Sequence, residues 1–257
     1  MLTPPEIARS LLAAGESKAR LPFGKMLLLA ILAGAYIALA GVGATAAAVT
    51  VESGSLAKLL SACVFPAGLS MVILAGSELF TGNCLMVMAL LERRITPAQL
   101  LRNWLTVYLG NAVGGAAVAA LAVYSHTASL FGDGLARSMV SIAESKAALG
   151  AGDAFLRGVL CNFLVCLAVW MAAASKRAEG KVIALFFPIL LFVLCGYEHC
   201  IANLYYLPAG AFAAAEYGVE TTLTLAGCLK NLTAVTLGNL VGGAALGVGY
   251  RFAYLKE

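Results

Sequence analysis

Two carboxylates and one imidazole lie inside stretches of this sequence that are otherwise apolar. Glu78 and Glu198 each stand within a long hydrophobic run, and His199 follows directly on the second. A carboxylate at membrane depth costs about 2.5 kcal/mol or more, so each needs partners. The expected role of both Glu is structural: each accepts hydrogen bonds from backbone N–H groups freed by a break in its own helix. A second reading makes one of them a proton shuttle. His199 is the only His in such a run, His126 lying in a connecting segment. A lone His on an apolar face is usually a satisfied core residue, but a position inside a break puts it on a solute path. Its ordinary pKa of about 6.5 suits proton exchange near neutrality. Thr81 offers a hydroxyl within reach of the first break, and we expect it to pair with His199 or with a passing solute.

Other constellations carry less. Cys195, His199 and Cys200 cluster, as do Cys161 and Cys166, but these spacings fit no zinc pattern. A membrane-embedded metal or redox protein is therefore a distant alternative. Seven Cys, mostly inside apolar runs, do not form a disulfide framework. No Gly-rich phosphate loop and no Ser/His/Asp set is visible. We expect neither an enzyme nor a cofactor.

The elements that must hold these groups follow from composition. The 257 residues are 61% apolar and only 12% charged, with a mean hydropathy of +0.92. A soluble domain carries about 25% charged residues. A soluble enzyme, a nucleic-acid binder and a secreted disulfide scaffold are excluded on that ground; the chain is a polytopic, all-α membrane protein. A spanning helix needs about 20 apolar residues. Uninterrupted runs occur at 26–49, 100–124, 153–174 and 223–250, while 59–91 and 182–211 are each interrupted by a polar cluster with Gly. Reading each interrupted run as one crossing built from two half-helices makes six transmembrane helices, the second and fifth broken. A preceding segment, 1–24, has a capping-box pattern (Thr3, Glu6) and an apolar face of Ile7, Leu11 and Ala14, as in an amphipathic surface helix.

The two halves repeat. Gly76-Ser-Glu-Leu-Phe-Thr-Gly-Asn83 aligns with Gly196-Tyr-Glu-His-Cys-Ile-Ala-Asn203, and Val107-Tyr-Leu-Gly-Asn-Ala-Val-Gly-Gly-Ala116 with Val235-Thr-Leu-Gly-Asn-Leu-Val-Gly-Gly-Ala244, with Asn103 matching Asn231. Three crossings per half is an odd number, so the halves, 26–124 and 153–250, enter the membrane in opposite senses within a single domain spanning 1–257. Inverted repeats with broken helices mark a solute path. With six crossings, 12 of the 17 basic residues fall on the side of the termini: Arg9, Lys18, Arg20, Lys25, Arg93, Arg94, Arg102, Lys176, Arg177, Lys181, Arg251 and Lys256. The positive-inside rule then puts both termini in the cytoplasm of a cell whose inner (plasma) membrane holds the protein.

These residues also carry a resemblance. Leu74-Ala-Gly-Ser-Glu-Leu-Phe-Thr-Gly82, Gly158-Val-Leu-Cys-Asn-Phe-Leu-Val-Cys-Leu-Ala168 and Gly196-Tyr-Glu-His-Cys-Ile-Ala-Asn203 resemble the signature segments of the formate/nitrite transporter family, over nearly the whole chain. The resemblance implies an aquaporin-like fold, a homopentamer in the lipid bilayer with one pore per protomer, and passage of a small monovalent anion: formate, nitrite or hydrosulfide. Neither break has the Asn-Pro-Ala of a neutral-solute channel. Formate is the expected substrate, from the similarity of the segment with Lys146, the His199 stretch and the Asn231 run to the formate branch. Hydrosulfide and nitrite are the alternatives. By the same resemblance Thr81 and His199 form the central pair, and Leu79, Phe192, Leu69, Phe65 and Val165 form apolar constrictions. Asn162 and Asn231 would line the pore, Lys146 would draw anions into an outer vestibule, and residues 3–18 would act as a gate. The physics agrees with such a design. A bare anion in an apolar constriction loses its hydration at large cost, whereas the protonated weak acid does not.

Overall fold

A computed structural model describes residues 1–255, and among them the regular structure is entirely helical. Lys256, counted above with the termini, lies outside the described residues. Helix α1 (Pro4–Ala19) starts where the Thr3 N–H and hydroxyl both donate to Glu6 Oε2, at 2.7 and 2.8 Å. Helix α2 (Phe23–Ala46) is followed by α3 (Gly54–Val64) and α4 (Pro66–Ala75), which abut at Pro66. After the first break come α5 (Phe80–Asn83), a 3-10 turn at Cys84–Met86 and α6 (Val87–Leu91). Helix α7 (Pro97–Tyr124) opens on a Thr96–Gln99 capping box. Helix α8 (Gly134–Ala148), then α9 (Ala151–Ala173) and α10 (Ala178–Leu194), lead to the second break. Helices α11 (Cys200–Tyr217) and α12 (Leu225–Tyr254) complete the chain.

Among the described residues five stretches are long and apolar enough to cross a membrane: α2, α3 with α4, α7, α9 and α12. The expected fifth crossing, 182–211, is two helices, α10 and α11, that meet at the break. Each break separates two helical stretches, α3–α4 from α5–α6 in the first half and α10 from α11 in the second, as the reading of two broken helices expected. The segments grouped by charge touch one another. The Leu2 N–H donates to Ala174 O at 2.8 Å, Arg251 pairs with Glu92 at 2.7 Å, and Trp170 packs on Tyr250 and Tyr254.

Glycine lets the long helices approach backbone to backbone. A Cβ at Gly114 of α7 would fall on the Ile31 carbonyl of α2, and one at Gly242 of α12 on the Val159 carbonyl of α9. Such contact provides van der Waals packing where no hydrophobic drive separates helix from lipid. The opposite faces of the same helices expose Leu28, Leu39, Leu105, Leu109, Leu160 and Leu237 to whatever apolar phase surrounds the fold.

The same substitution should therefore have opposite signs at two glycines of α12. Gly242→Ala is expected to destabilise by about 1–3 kcal/mol through overpacking. Gly249→Ala, with nothing within 4 Å, should stabilise slightly through helix propensity. Thermal denaturation of the detergent-solubilised protein checks both.

Candidate functional site

The two breaks are built alike. Helix α4 stops where Gly76 takes φ 79°, and Ser77 N–H returns to Val72 O at 2.9 Å. Helix α10 stops at Gly196, φ 69°, with Tyr197 N–H on Phe192 O at 3.0 Å. This is the left-handed helix stop that glycine allows and a side chain resists. The chain then runs extended through Leu79 and His199, each with φ −111°, into the N-termini of α5 and α11.

Backbone groups freed in this way are held by two asparagines. Asn111 Oδ1 accepts Phe80 N–H at 3.0 Å, while its Nδ2 donates to Ala30 O and Glu78 O at 2.7 and 2.9 Å. Asn239 Oδ1 accepts Cys200 N–H at 2.9 Å, and its Nδ2 donates to Gly158 O and Glu198 O at 2.7 and 2.9 Å. The Glu78 and Glu198 N–H groups donate to the carbonyls of Leu29 and Arg157. This corrects the expectation that the Glu side chains accept the freed N–H groups. A break leaves carbonyls as well as N–H groups unpaired, and an amide satisfies both where a carboxylate only accepts.

The carboxylates instead face lysines. Glu78 accepts from Lys18 Nζ at 2.6 Å and Asn83 Nδ2 at 2.7 Å. Glu198 accepts from Lys146 Nζ at 2.9 and 3.1 Å and Asn203 Nδ2 at 2.7 Å. Asn83 and Asn203 also donate to Asn103 and Asn231, whose own amides point at the Lys18 and Lys146 carbonyls. The offset relating Asn111 to Asn239 also relates Lys18 to Lys146. The mirrored network thus takes in α1 and α8, which lie outside the repeat bounds 26–124 and 153–250. Sequence reasoning missed Lys18 and did not assign Asn111 and Asn239. Extending the repeat offset beyond the aligned blocks was the signal that would have found Lys18.

Between the breaks, Thr81 Oγ1 lies 2.9 Å from His199 Nε2, with both residues buried. His199 Nδ1 accepts Ala202 N–H at 3.1 Å, capping α11. The neutral ring therefore carries its proton on Nε2, donates it to Thr81, and leaves the Thr81 hydroxyl hydrogen free for another acceptor. A doubly protonated ring would forfeit the cap. Beside this pair is a space of about 10 Å³, room for about one water, walled by Ile37, Phe65, Leu69, Leu79, Val165, Ile189, Phe192 and His199. It contains all five residues expected at the constrictions; Ile37 and Ile189 were not anticipated. The Phe192 ring stacks 5.8 Å from the imidazole.

Two larger cavities flank it. One, of about 430 Å³, shares Phe65, Phe192 and His199 with the narrow space and is walled by Lys58, Lys146, Arg157, Glu198 and Tyr206. The other, of about 320 Å³, shares Leu69 and Leu79 and is closed by Leu11, Gly15 and Lys18 of α1 with Ser77 and Glu78. Asn162 and Asn231, expected to line the pore, form no part of these walls. Asn162 donates to Thr81 O at 3.3 Å and Asn239 O at 2.7 Å, holding the central loop from behind. Lys146 does line a cavity, but its charge is matched by Glu198 and its ammonium also lies 5.2 Å over the Tyr206 ring. Among the described residues no group of three or more His, Cys, Asp or Glu is placed to hold a metal ion.

Helix α8 is tied down at its exposed side. Glu144 accepts from Thr222 N–H at 2.6 Å and from the Thr221 and Thr222 hydroxyls at 2.9 and 3.1 Å. These bonds, the backbone one first, hold its carboxyl below the ordinary carboxylate value of 4.5.

Asn239→Asp should destabilise by about 1–3 kcal/mol for each donor lost from a buried carbonyl, despite its near-identical shape; the yield and melting of purified protein report it. The Glu144 clasp, with its depressed carboxyl, is complete above the unfolded-state pKa and is lost as pH falls through the lower folded value. The protection factor of the Thr222 amide, its exchange rate compared with the intrinsic rate at the same pH, should therefore fall on acidification, and Glu144→Gln should remove that pH dependence.

Comparison with known proteins gives a consistent result. Residues 5–253 match the family model described as "Formate/nitrite transporter". A "Probable formate transporter" of Methanothermobacter thermautotrophicus is 39% identical over 99% of this chain and 98% of its own length. The "Formate channel FocA" of Haemophilus influenzae is 40% identical over 86% of this chain and 84% of its own. A solved "FNT family ion channel" superposes with TM-score 0.86 at 32% identity, covering 96% of this chain and 98% of that one. A "Pentameric formate channel with formate bound" superposes with TM-score 0.81 at 33% identity over 91% and 98%.

Proposed function

Because the chain belongs to the formate/nitrite transporter family, whose similar members are channels and transporters, we propose that it conducts a small monovalent weak-acid anion, formate first, through a pore in each protomer of a homopentamer. Nitrite and hydrosulfide are the alternative substrates. The protein sits in the plasma membrane with its termini in the cytoplasm, in keeping with the basic residues gathered on their side. The pentamer and formate both draw support from the similar channel of that description.

One observation carries the reading: His199, hydrogen-bonded to Thr81 behind it, walls an apolar space too small for a hydrated ion, between two larger cavities that each hold a Lys–Glu pair. An anion entering that space leaves its water behind, at a cost of many kcal/mol for a bare charge. The Thr81 hydroxyl hydrogen, free because the imidazole supplies the other bond, offers the anion its first protein donor. A proton acquired at this point makes the solute neutral for passage between Leu79 and Phe192. His199 supports the step through Nε2, either by polarising Thr81 as the neutral ring or by relaying a proton, in which case Nδ1 first takes up a replacement proton from the water of the adjoining cavity and gives up the Ala202 N–H. In the polarising role the Ala202 cap and the Phe192 ring hold the imidazole in register.

Fluxes of formate, nitrite and hydrosulfide into proteoliposomes, compared over about pH 5 to 8 around the imidazole range, test this. The wild type should pass formate fastest and faster in acid. His199→Asn should flatten the pH profile. Thr81→Val should lower flux by about tenfold or more, since a hydrogen bond to a charged group is worth about 1.5–3 kcal/mol.

A further inference from the structure

The two cavities are built by mirrored elements but are not electrically alike. On the α1 side, Lys18 and Glu78 pair at 2.6 Å and are the only charged residues in the wall. On the α8 side, Lys146 and Glu198 form the equivalent pair at 2.9 Å, and Lys58 of α3 and Arg157 of α9 stand in the same wall. Neither Lys58 nor Arg157 forms an ion pair among the described residues. The surplus belongs to one mouth only. The Arg157 carbonyl accepts the Glu198 N–H at 3.3 Å, and the residue whose carbonyl does this for Glu78 is Leu29, at 3.2 Å. At the offset relating Gly76 to Gly196, the counterpart of Lys58 is Ala178.

We propose that Lys58 and Arg157 make the α8-side cavity a collecting chamber for small monovalent anions, with no counterpart at the other mouth. This deepens the functional reading above and rests on it. Lys146 cannot fill this role alone, because its charge is matched by Glu198 and removing it would leave that carboxylate unpaired. Two unmatched cations in a walled cavity raise the local anion concentration, and the effect is screened by salt. The half-saturating anion concentration is therefore lower on the α8 face than on the α1 face. A passive pore at zero potential must keep the ratio of maximal flux to half-saturation equal in the two directions, so the maximal flux entering from the α8 face is lower in the same proportion.

The chamber's potential can be read without transport. Ser145 lines the same cavity and is exposed. In a Ser145→Cys protein with the exposed Cys63 and Cys195 changed to Ser, the rates of modification by an anionic and a cationic methanethiosulfonate are compared. Their anion-to-cation ratio should fall roughly tenfold in Lys58→Gln/Arg157→Gln, should hold in the charge-conserving Lys58→Arg/Arg157→Lys, and should lose its dependence on these residues in about 1 M salt. Formate half-saturation from the α8 face should rise severalfold in the Gln pair. A ratio unchanged by the Gln pair, or by each single Gln variant should the pair fail to fold, overturns the inference. A ratio that falls in a protein whose parent conducts none of the three anions overturns the functional reading and leaves the charged chamber standing.

Discussion

A backbone interrupted at membrane depth must find every hydrogen-bond partner inside the protein, because lipid supplies none. At each break this chain has an extended segment with donors and acceptors both exposed, and one asparagine from a neighbouring helix serves both. Asn111 and Asn239 each bind one N–H and two carbonyls and are fully buried. The rest of the site depends on these bonds. They set the extended conformation at Leu79 and His199, and so the directions in which the hydrophobe and the imidazole project. Asn162, behind the Thr81 carbonyl and bonded to the Asn239 carbonyl, links the first break to the same framework.

Once the amides satisfy the backbone, the carboxylates are available for another task. Glu78 and Glu198 each lie at the floor of a cavity and receive a lysine from a helix outside the long crossings, α1 in one case and α8 in the other. A buried carboxylate with a lysine and an asparagine is tolerated where a bare one is not. The pairs also attach α1 and α8 to the walls of the two larger cavities. The exposed Glu144–Thr222 clasp fastens α8 from its other side, so the residue that neutralises Glu198 is presented by an anchored element.

The central pair combines strict geometry with asymmetry. The inverted repeat places Leu79 opposite His199, so one break contributes an apolar side chain and the other an imidazole. The imidazole can cap α11 through Nδ1 and meet Thr81 through Nε2 because the Thr belongs to the other half. A strictly symmetric duplication would set two identical walls against each other, and neither would hold a proton in a defined place.

Much of this was legible beforehand. Hydropathy and the scarcity of charge determined a helical membrane protein, and the repeated Gly-x-Glu blocks located both breaks, because a helix stop in lipid needs glycine and polar cover in any fold. The Thr81–His199 proximity followed from the repeat and the family resemblance, and the resemblance alone named the five apolar residues that share the walls of the narrow space. Partner choice was not legible. Glu78 and Glu198 were expected to cover their own breaks, yet Asn111 and Asn239 do so from other helices, and Asn162 and Asn231 lie outside the walls of the three cavities. Lys18 reaches Glu78 from a segment that read as an amphipathic surface helix, and Lys58 and Arg157 share a wall with Lys146 only because α3, α8 and α9 converge. Local sequence determines where a backbone must break and which side chains are costly to bury. Which distant group meets each exposed donor, acceptor or charge depends on how the helices cross, and only the tertiary structure decided it.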